Sequence, residues 1–525
     1  MLTLRPYQTE PVRKAVGFFR FDNPDPALLV LPTGAGKSLI AAEVAAACPD
    51  PILVVQPTKE LLEQNLGKYR QLCGDLAPAG VYSTSFGKHQ IDHVTFATIG
   101  SIKSIGATFR ELGFRKMLID EAHLYPRKEQ SMLGEFLRDS GIRHVLGMTA
   151  TPLKLEQFSE KQGGHFDKWS ELIMLTNLSQ DGSFFRNILH VTQVEEMTSG
   201  GWWSPLRYEV LPFDRHALEL NTTGSEYTED SVVSAYVANN IRANIVAALD
   251  YHRERRHCLV FVPSVEEAEA MASFYPGSVA VSGQTPKKER ERIVAAFKSG
   301  EIRVVFNCAI FLTGFDYPEI DLIAIGYSTA SMAKYYQTVG RAVRIHPDKR
   351  DAVIVDAGGN VERFGYVEDI RFVRDGRWRM YGTGGTLITG IPVNAIGDIS
   401  ETDVRRAGGL SSYDTGTISF GKHRGKTYEQ VPASYLQWML STQGTGDYFD
   451  WQRAHIVRAM ENHLRDTRGD LPMETLPDGQ HAGEHMGFVP SGYLRWYYNS
   501  KQWNETNDSL RRGLELFLNL KQART

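Results

Sequence analysis

The chain has 525 residues, 42% hydrophobic and 23% charged, the composition of a globular protein of about three or four domains rather than a disordered or fibrous one. A net charge of −4 excludes a globally basic surface, so any nucleic-acid contact must come from local patches. Four scattered cysteines without CxxC or Cys/His spacing argue against zinc and disulfides, and no run approaches 18 apolar residues, so a reduced, cytoplasmic protein without a membrane span is expected.

Taken in chain order, short apolar runs alternate with helix-period segments, the rhythm of a parallel α/β protein. Strands are expected at 27–31, 51–56, 93–99, 116–120 and 144–150, then at 257–262, 278–282, 303–308, 321–327 and 351–356. Residues 286–300 read as a helix opened by Pro286 and closed by Gly300. Signals weaken over 155–250, where "TSGGWWSPLRY" reads as the crossover between two similar halves. The expected domains are 1–200, 201–375, a Gly-rich linker at 376–410 and a tail at 411–525.

"LPTGAGKS" (31–38) follows a strand and opens a helix, the setting of a phosphate-binding loop. Gly34 and Gly36 let backbone N–H groups approach phosphate oxygens, Lys37 brings a point charge, and Ser38 offers a hydroxyl to Mg²⁺. Leu31 stands where the usual pattern has its first glycine, so the loop needs support. "MLIDEAH" (117–123) provides it, because an apolar strand ends there in two carboxylates. Asp120 is placed for the Mg²⁺ shell and Glu121 to orient or deprotonate a water. Gln337, Arg341 and Arg344 fall at i, i+4 and i+7, which predicts one helical face of basic groups able to reach a γ-phosphate.

With these residues in order, the chain over about 1–370 resembles the superfamily two helicases and translocases, which have two tandem RecA-like, doubly wound parallel-sheet domains. The resemblance implies an ATP hydrolase. "LRPYQ" resembles the adenine-sensing motif, with Gln8 as its glutamine. "LPTGAGKS" resembles motif I, in which this superfamily commonly lacks the first glycine, and implies that Thr33, Gly34, Ala35, Gly36, Lys37 and Ser38 hold ATP. "QPTKELLEQ" and "TIGSI" imply strand contacts from Thr58, Lys59 and Thr98, and "LVFVPSVEEAEAM" implies one from Ser264. "DEAH" and "TATP" imply that His123, Thr149 and Thr151 couple hydrolysis to movement. "LTGFDYPEID" implies Thr313 on the nucleic acid with Gly314 and Asp316 on the ATP side, and "QTVGRAVRI" implies arginine fingers. Residues 340–365 are similar to the restriction-type and phage branch-migration helicases. That implies sequence-independent DNA binding, branched or single-stranded, and 3′ to 5′ movement, with RNA as the alternative strand. Translocation on duplex DNA without strand separation, or an ATP-gated scaffold, are the competing readings.

The tail carries an internal duplication. "GKHRGKTYEQVPASYLQW" (421–438) and "GQHAGEHMGFVPSGYLRW" (479–496) share eight of 18 positions without a gap. Lys422, Arg424 and Lys426 in the first copy are Gln480, Ala482 and Glu484 in the second. The first copy resembles the small domain that follows the nuclease in exodeoxyribonuclease X. A small α+β domain is expected, in which only the first copy keeps a phosphate-binding turn. The shared Tyr435/Tyr493 and Trp438/Trp496 are expected to pack its core. Docking of a protein partner is the alternative.

Overall fold

The structure, a computed structural model, describes residues 3–21, 25–74, 77–125, 131–162, 165–178, 183–222, 226–308, 317–375, 377–391, 393 and 396; in the tail it describes 426, 430–431, 436, 476–481, 486, 489, 491–504 and 507–518. The chain divides into two compact units, Met1–Glu156 with Ser170–Thr389, and Gln157–Trp169 with Gly390–Thr525.

The first unit opens with helix α1 (Pro6–Phe18). Strand β1 (Ala27–Val30), helix α2 (Lys37–Ala46), strand β2 (Ile52–Gln56) and helix α3 (Lys59–Cys73) follow. Then come β3 (Gly80–Ser83), β4 (Lys88–His89), β5 (Val94–Thr98), β6 (Lys116–Ile119) and β7 (His144–Thr149). A two-stranded pair, β8 (Leu153–Gln162) with β9 (His165–Met174), stands apart, and β10 (Asn187–Val191) returns to the sheet. Among the described residues this sheet runs β10-β1-β7-β6-β2-β5-β3-β4, and every pair is parallel except β3 with β4. Strands β1, β2 and β6 are buried along their whole length, as parallel strands covered on both faces must be. Phe109, Phe114, Leu133 and Phe136 pack against Leu53, Val55, Met117 and Ile119 to form the core beneath them.

A second parallel sheet, β11-β16-β15-β12-β14-β13, forms the other half of the same unit. Its strands are β11 (Leu206–Val210), β12 (Cys258–Phe261), β13 (Ser278–Val281), β14 (Val304–Asn307), β15 (Leu322–Ile325) and β16 (Ala352–Asp356). An antiparallel pair, β17 (Arg371–Asp375) with β18 (Arg377–Tyr381), follows. The ten strands expected from the sequence all form. Helix Lys287–Ser299 stands where Pro286 and Gly300 place it. Among the described residues no helix is long and apolar enough to cross a membrane.

Helix Met332–Val339 corrects one expectation: it stops before Arg341 and Arg344, so these arginines do not share a helical face with Gln337. Beyond Val339 the N–H groups of Arg341 and Ala342 donate to Thr338 O and Val339 O, three residues back, so the chain tightens into turns instead of continuing the helix. Gly340 fits this close meeting of the halves, since a Cβ there would come within 2.6 Å of the Thr33 side chain.

In the second unit, helix Ser491–Ser500 and helix Asp508–Phe517 enclose Leu476, Leu494, Tyr497, Leu510 and Leu514. Trp496 is 61% exposed, which corrects the expectation that it packs the core. Leu494 and Tyr497, three residues apart, form the buried stripe, and position 496 lies well round the helix from 494. Trp438 and Tyr435 lie outside the described residues.

Candidate active site

The carboxyl ends of neighbouring strands β1, β6 and β7 carry the three motif loops of the first half to one edge, where doubly wound sheets place their chemistry. After β1 the chain closes a tight turn in which Ala35 N donates to Pro32 O at 3.1 Å. Gly34 and Gly36 both have left-handed backbones, φ 78° and 76°. A side chain at Gly36 would also collide with Gln8, whose Nε2 lies 2.5 Å from a built Cβ. Lys37 then begins α2, so its N–H groups and those of Ser38 face outward at a helix start.

The acidic pair follows β6. Asp120 is buried; its Oδ2 accepts from Asn65 Nδ2 at 3.0 Å and its Oδ1 from Glu121 N at 2.9 Å. Burial and the neighbouring Glu121 charge hold the Asp120 pKa well above the usual carboxylate range. Burial also pushes Glu121 upward, but the charges of Lys37, His123 and Arg341 outweigh it and leave Glu121 below its ordinary value. Lys37 Nζ is 3.6 Å from Glu121 Oε1. Glu121 Oε2 is buried without a hydrogen bond, an acceptor aimed at whatever enters. His123 Nδ1 lies 3.5 Å from that oxygen and 2.9 Å from Thr149 Oγ1, which accepts from Thr151 N at 3.1 Å. Burial lowers the His123 pKa against the opposing pull of the Glu121 charge.

A cavity of about 630 Å³ opens over these groups. Thr33, Gly34, Gly36, Lys37, Ser38, Asp120 and Glu121 line it from the first half, and Gln337, Arg341 and Arg344 from the second. Gln8 and Thr58 reach it too. Ala35 does not: it is buried, and its carbonyl accepts from Gln8 Nε2 at 2.8 Å and Tyr7 OH at 3.3 Å. Lys59 pairs with Glu63 at 3.7 Å and sits over the Phe86 ring. Thr58 caps α3 through Leu61 N, and Ser264 caps helix Val265–Phe274 through Glu267 N, the same job in each half. Thr98 pairs with Ser101 at 2.9 Å. Lys426 is exposed. Thr313, Gly314, Asp316, Lys422 and Arg424 lie outside the described residues.

Two residues at the site carried no signal in the sequence. Asn65 holds Asp120 from α3, and Trp203 Nε1 donates to Thr33 O at 3.0 Å from 170 positions away. Trp203 belongs to the crossover, which also pins the arginine turn, since Ser204 N donates to Val343 O at 2.7 Å.

A phosphate loop, a buried aspartate beside a part-buried glutamate, and two arginines that reach the same cavity from the half built on the second sheet define a two-halved nucleoside triphosphatase. Residues 1–154 match the family described as "Type III restriction enzyme, res subunit", and residues 241–346 match "Helicase conserved C-terminal domain". The chain is 24% identical over 371 residues to the DNA 3′-5′ translocase XPB2 of Sulfurisphaera tokodaii, covering 65% of this chain and 79% of that one. It is 23% identical over 363 residues to a 51.5 kDa protein of a Lactococcus phage, covering 67% and 70%. A DNA-bound ATP-dependent type ISP restriction-modification enzyme, LlaBIII, shares the fold with a TM-score of 0.50 at 14% identity, over 98% of this chain and 37% of its own. Over these stretches the chain is similar to the superfamily two helicases, and it is an ATP-hydrolysing enzyme.

Proposed function

We propose that this protein is an ATP-driven DNA motor that moves 3′ to 5′ along one strand without reading sequence and remodels forked or branched DNA. The observation that carries this reading is the single cavity shared by Lys37, Glu121 and Arg341, which come from two separate sheets. A site divided between halves makes hydrolysis depend on their apposition, and a change in apposition on turnover is what moves a strand.

Each side chain then has a role. Lys37 gathers the β- and γ-phosphates over the outward N–H groups of Gly36 to Ser38. Glu121, charged and with a free acceptor, takes the proton of the attacking water. Arg341 and Arg344 neutralise charge developing on the γ-phosphate, and Gln337 orients the same region. Gln8 braces the phosphate loop at the adenine end. Ser38 and Asp120 would hold Mg²⁺: burial first, and then the neighbouring Glu121 charge, raise the Asp120 pKa, and a hard cation beside the carboxylate would offset both. Mg²⁺ held by these two residues would supply positive charge against the phosphates. His123, Thr149 and Thr151 link Glu121 to the chain leaving β7 and would report hydrolysis to the strand-contacting loops. Thr58, Lys59, Thr98, Ser264 and Thr313 would touch the DNA backbone, and the tail would add grip through Lys422, Arg424 and Lys426.

Duplex translocation without strand separation is the second reading, favoured by the similarity to the archaeal DNA 3′-5′ translocase. ATP hydrolysis, unwinding of forked, three-way and four-way DNA, and displacement of a triplex-forming strand separate the two. Unwinding of branched substrates supports the first; triplex displacement without unwinding supports the second and removes the first. ATP turnover that no DNA accelerates would remove both.

A further inference from the structure

We propose that Lys349 is a positioning residue for ATP hydrolysis, its ammonium group clamping through three backbone carbonyls the two segments that build the second half's wall of the cavity. Lys349 Nζ donates to Pro318 O at 2.9 Å, to Ile320 O at 3.0 Å and to Ala342 O at 2.8 Å. An ammonium has three N–H donors, and three carbonyls converge on it. The amine's own backbone helps, since Lys349 N donates to His346 O at 3.0 Å and closes the turn that swings the side chain back under the arginine segment.

The three acceptors sit where a catalytic wall needs fixing. Pro318 lines the cavity, and Ala342 follows Arg341, which lines it too. Ala342 and Val343 are fully buried. The Ala342 carbonyl is held by Lys349 and the next one, that of Val343, by Ser204 N from the crossover. With two consecutive carbonyls fixed, the backbone that aims Arg341 and Arg344 has little freedom left. Beyond Val339 the turn bonds from Arg341 N to Thr338 O and from Ala342 N to Val339 O hold the N–H side of this backbone, and Lys349 and Ser204 hold the carbonyls of Ala342 and Val343. Burial draws the Lys349 pKa down to about 7, with Asp321 opposing the fall and Arg344 adding to it. A half-buried cation near an arginine is an unfavourable arrangement that the converging carbonyls offset. Replacing it by an apolar chain leaves those carbonyls without their donor.

The inference rests on Arg341 acting on the substrate's phosphate, so Arg341→Ala is measured beside the lysine variants. The full chain is prepared as wild type, Lys349→Met, Lys349→Gln and Lys349→Arg. DNA-stimulated ATP hydrolysis, equilibrium binding of a fluorescent ATP analogue and thermal melting are then measured. In Lys349→Met, kcat is expected to fall roughly 10–100-fold, the scale of a misplaced catalytic group. KM for ATP and analogue affinity should stay within about threefold, the split expected for an interaction used in the transition state. Lys349→Arg should recover part of kcat. If Lys349→Met does not fold, Lys349→Gln, which keeps amide donors at shorter reach, is read by the same split. Wild-type kcat in the folded variant, a loss that only tracks the unfolded fraction, or a rise in KM at constant kcat each overturns the inference while leaving the role of Arg341 standing. Normal turnover in Arg341→Ala removes the reading beneath it and the inference with it.

Discussion

Glu121 has a backbone φ of 47°, one of two non-glycine residues among those described with a positive value. A non-glycine residue in that region is uncommon and costs energy, and here it turns the carboxylate back toward Lys37 while Asp120 stays anchored on Asn65. Glu121→Gln keeps the shape of the side chain and removes the carboxylate proposed as the base. Turnover is expected to fall by roughly 10²–10⁴, the range for lost general-base catalysis, with ATP still bound. Single-turnover hydrolysis and analogue binding check it, and wild-type turnover would remove Glu121 from the chemistry. At the other end of the loop, Trp203→Phe keeps the ring's bulk and withdraws the donor from Thr33 O. Leaving that buried carbonyl without its partner costs about 1–3 kcal/mol. A lower melting temperature together with a higher KM for ATP is expected, whereas an unchanged KM would show that Trp203 serves stability alone.

At the scale of elements, what the sequence revealed follows from burial. Most of the anticipated strands are covered ones, apolar runs such as "ALLV" and "ILVVQ" with no exposed residue, and the half-buried edge strand β13 still carries the apolar run "SVAVS". Strands β10 and β11 were missed because they lie at sheet edges, and their half-exposed residues leave no apolar run. The same logic separates the parts of the site. Lys37, Asp120 and Glu121 sit in short local motifs whose chemistry dictates their spacing. Asn65, Trp203 and Lys349 act through contacts 55, 170 and up to 31 positions away, which no local pattern encodes. The helix end at Val339 was misjudged because a single glycine between helix-forming neighbours reads as tolerable, and neither the tightened turns beyond it nor Thr33 against it shows in the local pattern. Gly340→Ala tests that contact cleanly. Gly340 has an ordinary right-handed backbone, φ −59°, so alanine adds no backbone strain and only its methyl group matters. That methyl group would sit 2.6 Å from Thr33, and overpacking of this kind costs about 1–3 kcal/mol. Because the clash lies where the arginine turn meets the phosphate loop, ATP turnover should drop more than the melting temperature predicts. Equal losses in both would mean the two sides yield together and keep their alignment.

For the whole molecule, the question is what a duplicated tail adds to a motor whose nucleotide site lies wholly in the other unit. The second copy lost the basic turn yet presents Trp496 at 61% exposure, with Tyr493 beside it at a ring separation of 5.3 Å. The first copy keeps Lys422, Arg424 and Lys426. Under the proposed function, charge in one copy and an open aromatic face in the other would divide the gripping of a strand, phosphates to one and bases to the other. Two sets of variants distinguish this from a docking module. Replacing Lys422, Arg424 and Lys426 by Gln, Ala and Glu should leave DNA-independent ATP hydrolysis intact and weaken DNA binding. The slope of log K against log salt should become shallower by about 2–3, at 0.7–0.9 for each phosphate released. Trp496→Ala removes an exposed side chain, so stability should change by no more than about 0.5 kcal/mol. Affinity for single-stranded DNA should still fall by about 1–3 kcal/mol if a base stacks there. Leu494→Ala, one turn face away and fully buried, should do the reverse and cost about 2–5 kcal/mol of stability in the tail. An unchanged salt slope in the triple variant, together with unchanged single-strand affinity in Trp496→Ala, would take the tail off the DNA and leave a protein partner as its ligand.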